Sequence, residues 1–300
     1  MPEVKQEWPL VSVIIASYNH ARFVEASIRS VYSQTYPNIE LLVVDDGSRD
    51  DSVAVITTLQ AELNFDFRAQ ENKGLCTTLN EAIARSKGIY VAPLGSDDVM
   101  LPERLSLQVP HMQAHPEVGI CAGGIIVIDA EGKPLPAKKQ RHRPARRLEF
   151  DDLFLDRQPG PPAPTLLFRR EALDRVQGFD PRIRIEDYFI ELRITHVGYF
   201  IDVLAEPLAL YRVHGSNTYK NRRLMVETEL AIYAHFASHP GYEYTRLRYL
   251  NAMFAKVAAE DRVLARELLA QIPWCKRNLK TLKGLWRYLL AGRGRPGSRS

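Results

Sequence analysis

"LVSVIIASYNHARFVEASIRSVYSQTYPNIELLVVDDGS" (residues 10–48) holds the reading on which the fold turns. It opens with a short β-rich apolar run, "LVSVIIAS" (10–17), and passes into a helical pattern through Val24, Ile28 and Val31. A second apolar run, "IELLVVDD" (39–46), closes it. The alternation then repeats. "DDSVAVITTLQAEL" (50–63) predicts a helix with Asp50 or Asp51 near its N-cap, "FDFRAQ" (65–70) a third strand, "GLCTTLNEAIARS" (74–86) a third helix and "IYVAPL" (89–94) a fourth strand. Near-continuous apolar strands joined by helical crossovers imply a parallel sheet with helices on both faces. In such sheets ligands sit beyond the carboxyl ends of the strands. "SYNH", "DDGS" and "SDD" follow the first, second and fourth strands, so these polar clusters are expected along one edge.

Composition sets the outer bounds. The 300 residues are 45% apolar and 25% charged, enough for a sizeable core and unlike a disordered chain. No uncharged apolar run approaches the roughly 18 residues of a membrane span. "MPEVKQEWPL" lacks the layout of a signal peptide. Cys76, Cys121 and Cys275 are odd in number and form no CxxC pair, which disfavours a zinc site or disulfide framework and points to a reducing, cytoplasmic setting. The net charge of +4 conceals eight Lys or Arg and no acid in residues 271–300, leaving −4 for the remainder. A uniformly basic nucleic-acid binder has another profile.

Along the second half, "VGICAGGIIVIDAEGK" (118–133) reads as a strand pair or one long strand, with a bulge or close approach at Gly123–Gly124. Residues 133–147, with seven basic residues and three prolines, read as a mobile loop. "QPGPPAPTLLFRREAL" (158–173) is a Pro-rich approach to a short strand and helix, and the spacing from Leu224 to Leu269 is helical.

The motifs in order, "VSVIIASYN…SVYSQTYPNIELLVVDDGSRDDS", "ENKGLCTTLNEAIARSKGIYVAPLGSDD", "GFD…EDYF" and "YRVHGSN", resemble family 2 glycosyltransferases over residues 9–220. The resemblance implies a GT-A-type nucleotide-binding mixed α/β sheet flanked by helices, followed by a C-terminal helical extension. It divides the chain into a nucleotide-sugar-binding half (1–100), an acceptor-binding half with the catalytic base (101–220) and a helical extension with a basic tail (221–300). It implies inverting, metal-dependent transfer of a sugar from a nucleoside diphosphate donor, a UDP-sugar being favoured, to an acceptor hydroxyl, in bacterial surface glycan synthesis. Asp97 and Asp98 are adjacent like charges, a solvated turn unless a cation sits between them and a diphosphate. Mn²⁺ or Mg²⁺ takes oxygen ligands and neutralises charge on a leaving diphosphate. By resemblance Asp98 is the direct metal ligand, Asp97 serves ribose or a metal-shell water, and His214 joins the metal or diphosphate, although a lone histidine is more often structural. Gly95 stands where many relatives carry a further Asp.

Donor contacts are expected from Ala16, Tyr18, Asn19, Asp45, Asp46, Asn72 and Lys73. The ring of Tyr18 can stack on a base or simply fill the sheet edge. The carboxylates of Asp45 and Asp46 can accept from ribose or base, or only shape a turn. Lys73 is as readily a solvated loop lysine, and His20 and Arg22 read as loop surface. Asp187 holds the family's position for the base that takes the acceptor proton, against the plainer reading that Glu186 and Asp187 only open a helix.

"KRNLKTLKGLWRY" (276–288) mixes cations with leucines and aromatics. It suits an anionic membrane surface, which a glycan or lipid-linked acceptor would bring near, and equally a helix packed on the body. The enzyme is thus expected in the cytoplasm or peripherally at the inner face of the membrane. A non-catalytic nucleotide-sugar-binding or assembly protein of the same fold is the alternative. A Gly-rich phosphate loop is missing from "ASYNHARF", which disfavours nucleotidyltransferases and NAD enzymes.

Overall fold

The computed structural model describes residues 8–136, 143–215 and 222–291. The chain divides into two compact units, residues 1–153 with 157–217 and residues 154–156 with 218–300.

In the first unit the expected alternation appears element by element: β1 (Val11–Ser17), α1 (Val24–Tyr32), β2 (Ile39–Asp46), α2 (Ser52–Leu63), β3 (Asp66–Gln70), α3 (Leu75–Arg85) and β4 (Tyr90–Gly95). These four strands run parallel in the order β3-β2-β1-β4. Val11, Val13, Ile14 and Ile15 are fully buried, as a strand covered on both faces requires. The register is level at the carboxyl ends, pairing Ser17 with Asp45, Ala16 with Gly95 and Asp46 with Gln70.

Beyond β4 the sheet becomes mixed. After β5 (Val99–Met100) and α4 (Arg104–Ala114) come β6 (Val118–Ile128), β7 (Arg146–Leu148), α5 (Phe150–Phe154), β8 (Leu167–Arg169), α6 (Arg170–Arg175), α7 (Glu186–His196) and β9 (Phe200–Arg212). β8 lies antiparallel between β4 and β6, β9 is parallel to β6, and β5 and β7 pair antiparallel with β9. Residues 1–100 and 101–220 contribute strands to one sheet. Arg104 is fully buried and donates to the carbonyls of Pro164 (2.7 Å) and Leu166 (2.9 Å), pairing backbone groups that the Pro-rich approach leaves without a ladder.

The "VGICAGG" run is one strand, and its register against β9 shifts at Gly123–Gly124. Of the loop expected over 133–147, the described residues on both flanks are structured. Leu135 N–H donates to Val127 O at 2.8 Å, and Arg146–Leu148 form β7; residues 137–142 lie outside the described ones.

The second unit resolves the helical spacing into α8 (Arg222–His235), α9 (Tyr242–Val257) and α10 (Arg262–Ala270), followed by α11 (Leu279–Ala291). Its core gathers Val226, Leu250, Phe254, Val257, Leu264 and Leu268.

A Cβ on Gly123 would lie 2.4 Å from Leu208 Cδ1 and 2.9 Å from the Glu206 carbonyl. Gly123→Ala is expected to cost about 1–3 kcal/mol through overpacking, read as a lowered Tm in thermal unfolding.

Candidate active site

The polar clusters after β1, β2 and β4 do meet. Asn19, in the left-handed region at φ 55°, donates its N–H to Ser48 Oγ (2.8 Å) and accepts from Arg49 N–H on Oδ1 (2.8 Å). Asp50, rather than Asp51, ties the start of α2 to this loop, accepting from Ser52 N–H and Ala21 N–H, each at 3.0 Å. Tyr18 is 44% exposed at the mouth of this edge, where its ring face is open to a partner, and Ala16 beside it is half-buried.

Asp45 and Asp46 are turned inward. Asp45 accepts from Ser48 N–H (2.8 Å) and Ser48 Oγ (2.6 Å). Asp46 accepts from Gln70 Nε2, Lys73 N–H and Gly74 N–H, all at 2.9 Å. Those amides lead into α3, so the carboxylate also complements a helix N-terminus. Asn72 Nδ2 donates to the Asp46 carbonyl at 2.8 Å, while Lys73 pairs with Glu81 at the surface (2.9 Å). Gly47, at φ 79°, lets the two segments approach, since a Cβ there would sit 2.7 Å from Asn72 N.

Asp97 and Asp98 part company. Asp98 is 5% exposed and accepts from the Arg212 N–H on Oδ1 at 2.8 Å. Burial, and then the neighbouring Asp97, hold its carboxyl well above the usual range. Asp97 instead meets His214 Nε2 through Oδ2 at 2.8 Å. Of the pair, Asp97 stands with His20 and His214, while Asp98 holds the end of β9 through Oδ1. Both carboxylates lean over Gly95, where an added Cβ would stand 2.9 Å from an oxygen of each.

His20, expected as loop surface, is part of this group. Its Nδ1 lies 2.7 Å from Ser96 Oγ and its ring stands edge-on to that of His214, centroids 5.6 Å apart. One ligand atom each from His20, Asp97 and His214 lies within 4.8 Å of the others. Burial lowers the His20 pKa, favouring the neutral imidazole that coordinates metals. The sequence carried a signal for it, the fourth residue of the "SYNH" cluster at the ligand-binding edge. Arg212 closes the arrangement: Nε donates to the Asp97 carbonyl (2.8 Å), Nη1 reaches the Asp129 and Ala130 carbonyls (3.2 Å each), and the guanidinium lies 5.0 Å from the Phe23 ring centroid. In "YRVHGSN", Ser216 and Asn217 lie outside the described residues.

Asp187 is not in this cluster; α3 links the two places. The N-terminus of α3 is held by Asp46. Farther along, Asn80 exchanges hydrogen bonds with Phe179 (2.7 and 2.9 Å), and Cys76 Sγ reaches the Ile183 carbonyl (3.5 Å), fixing the approach to α7. Asp187, in the first turn of α7, accepts from Tyr188 N–H at 2.8 Å. Burial raises its pKa, outweighing the hydrogen bonds that lower it. Glu186 is pushed up to about 7 by burial and by Asp187. Glu191, four residues on and 3% exposed, is raised well above the ordinary value by burial and then by Asp187. α7 therefore carries three acids whose environment favours taking up a proton.

A level sheet edge with an exposed aromatic, a carboxylate–imidazole cluster and a helix carrying three acids raised in pKa by burial is the arrangement of a glycosyltransferase with the GT-A fold. Residues 12–177 match the model of glycosyl transferase family 2. An uncharacterized glycosyltransferase of Nostoc sp. is 32% identical over 287 residues, covering 92% of this chain and 86% of that protein. The O-antigen biosynthesis glycosyltransferase WbnJ of Escherichia coli is 29% identical over 220 residues, 71% of this chain and 83% of that one. In fold the chain is similar to TarS from S. aureus, solved in complex with UDP, with TM-score 0.67, 17% identity and coverage of 94% and 90%. The chain belongs to glycosyl transferase family 2.

The raised pKa of Glu191 has a stability consequence. A carboxyl raised on folding stabilises below its unfolded pKa, and that contribution is lost as pH rises through the folded value. Glu191→Gln, which cannot ionise, should leave Tm near wild type at pH 4 and raise it progressively toward pH 8, as followed by circular dichroism.

Proposed function

We propose that this chain is an inverting glycosyltransferase that moves a sugar from a nucleoside diphosphate donor, UDP-sugars being favoured, to a hydroxyl of a bacterial surface glycan or its lipid-linked precursor. The observation that carries the reading is the convergence of His20, Asp97 and His214 at the carboxyl edge where Tyr18 and Asn19 emerge. In this reading the base stacks on Tyr18. The loop from Asn72 to Gly74, held by Asp46, and the turn held by Asp45 shape the nucleoside pocket, with the Ala16 backbone at its floor and Lys73 beside the phosphates. The WbnJ likeness supports the surface-glycan setting, and the bound UDP of TarS supports the choice of base.

The donor set fits a divalent cation. A carboxylate oxygen and two imidazole nitrogens suit Mn²⁺ better than Mg²⁺, which prefers oxygen alone. Asp97, His214 and His20 would hold it, and when bound it supplies charge neutralisation for the departing diphosphate. Asp98 acts through Arg212, keeping the end of β9, and so His214, in place. Asp187 accepts the proton of the acceptor hydroxyl as it attacks the anomeric carbon opposite the leaving group, which inverts the configuration. Its raised pKa makes it a stronger base once ionised, and activity should climb with pH through a limb above the ordinary carboxylate range. Free thiols at Cys76, Cys121 and Cys275 support a cytoplasmic workplace.

Calorimetric titration with UDP, GDP, dTDP and CDP, each with Mn²⁺ and then with EDTA, tests the donor site. One nucleotide, expected to be UDP, should bind with Mn²⁺ and weaken at least about tenfold in EDTA or in Asp97→Asn, the scale of losing one charged hydrogen-bonding ligand. Failure of all four to bind would sink the reading and favour a scaffold of the same fold. Asp187→Asn should bind nucleotide like wild type while kcat falls about 10²–10⁴-fold; unchanged turnover would remove Asp187 from the base role.

A further inference from the structure

The helix α11 is divided into three lengthwise sectors. At 100° per residue, Thr281, Gly284, Leu285 and Tyr288 fall on one side. This side packs on α9. Thr281 is fully buried and hydrogen-bonded to Asn251, a Cβ on Gly284 would stand 2.7 Å from the Phe254 ring, and Leu285 and Tyr288 pack against the second unit's core. A second sector holds Leu279, Leu282, Trp286 and Leu289, exposed by 83, 58, 65 and 64%. A third, adjoining it, holds Lys280, Lys283 and Arg287. Just before the helix, Trp274 is 79% exposed and carries the Arg277 guanidinium 4.6 Å from its ring centroid.

A helix that needed only to pack would have one apolar face. This one has its packing face and a separate apolar face turned to solvent, an arrangement that costs solubility unless something covers it. The flanking charge says what. Lys276, Arg277, Lys280, Lys283 and Arg287 border the exposed leucines and tryptophans, and residues 271–300 contain no acid. A second copy seated on this face would bring like charges together, whereas an anionic lipid surface meets both the apolar strip and the cations. At 13 residues α11 is about 20 Å long, too short to span a bilayer and suited to lying in its interface. Among the described residues no helix is long and apolar enough to cross a membrane. Tryptophan is a side chain favoured at that depth.

We propose that α11 and the turn before it form a docking face for an anionic membrane surface, with Leu279, Leu282, Trp286 and Leu289 entering the headgroup boundary and the flanking cations meeting lipid phosphates. The inference stands on the second unit and is independent of the donor-site reading.

The test is flotation of the full chain with vesicles of phosphatidylcholine alone or mixed equally with phosphatidylglycerol, at low and high salt. Expected are binding to the anionic vesicles, weaker binding to the neutral ones and release by salt. The exposed-face variant Leu282→Ser/Trp286→Ser/Leu289→Ser and the charge variant Lys280→Glu/Lys283→Glu/Arg287→Glu should each weaken binding by about tenfold or more, with nucleotide affinity and circular dichroism unchanged. No binding to anionic vesicles overturns the proposal, as does binding that the apolar variant leaves intact. A concentration-dependent dimer in sedimentation velocity, abolished by the apolar variant and without vesicle binding, overturns it in favour of self-association.

Discussion

A buried carboxylate accepting one main-chain N–H holds the site together. Asp98, in the turn between β4 and β5, receives the amide of Arg212, the last residue of β9 and 114 positions away in the chain. The bond extends the antiparallel pairing of β5 with β9 back to the residue before β5. The same arginine returns through its side chain to the Asp97 carbonyl and to the turn after β6. Losing one partner of a buried hydrogen bond leaves the other desolvated and unpaired. His214, two residues beyond Arg212, inherits its position from this lock. So does the orientation of Asp97, whose carbonyl the same arginine holds and whose carboxylate meets His214.

The acids of the first unit sort by what surrounds them. Asp45 and Asp46 have polar donors on both oxygens and serve as turn formers. Asp98 is buried beside another carboxylate, and Glu186, Asp187 and Glu191 lie along one helix whose burial raises all three. Burial disfavours the charged form, so such groups destabilise the fold at neutral pH unless a cation or a proton joins them. That penalty is concentrated at the two places where the proposed chemistry needs a cation and a proton acceptor.

Much of this was legible in the chain before any coordinates. β1 to β4 are near-continuous apolar runs of strand length, and the helices between them show the 3.6-residue period, so the parallel half of the sheet and its ligand edge follow from pattern alone. Which member of an acidic pair is buried against the sheet does not follow. The orientation of Asp97 and Asp98 is set by Arg212 on β9, a contact that local spacing cannot register. The same distance concealed His20: beside Tyr18 and Asn19 it looks like one more loop residue, and only the placement of Ser96 and His214 against it makes it a ligand candidate. β7 was hidden for another reason, since its three residues are mostly basic and gain strand geometry from the edge of β9.

The helix α11 shows why one segment admits two readings. A leucine-rich, lysine-rich helix satisfies either a packing partner or a lipid surface, and sequence periodicity on a single helix cannot tell which apolar residue meets which. The deciding residues are the small ones. Gly284 and Thr281 permit close approach to Phe254 and Asn251, with Leu285 and Tyr288 beside them on the packing side. Packing through small residues leaves the large ones, Leu282, Trp286 and Leu289, with no place in that contact. The glycine therefore does two things at once: it seats the helix, and it turns the bulky apolar residues outward beside the lysines.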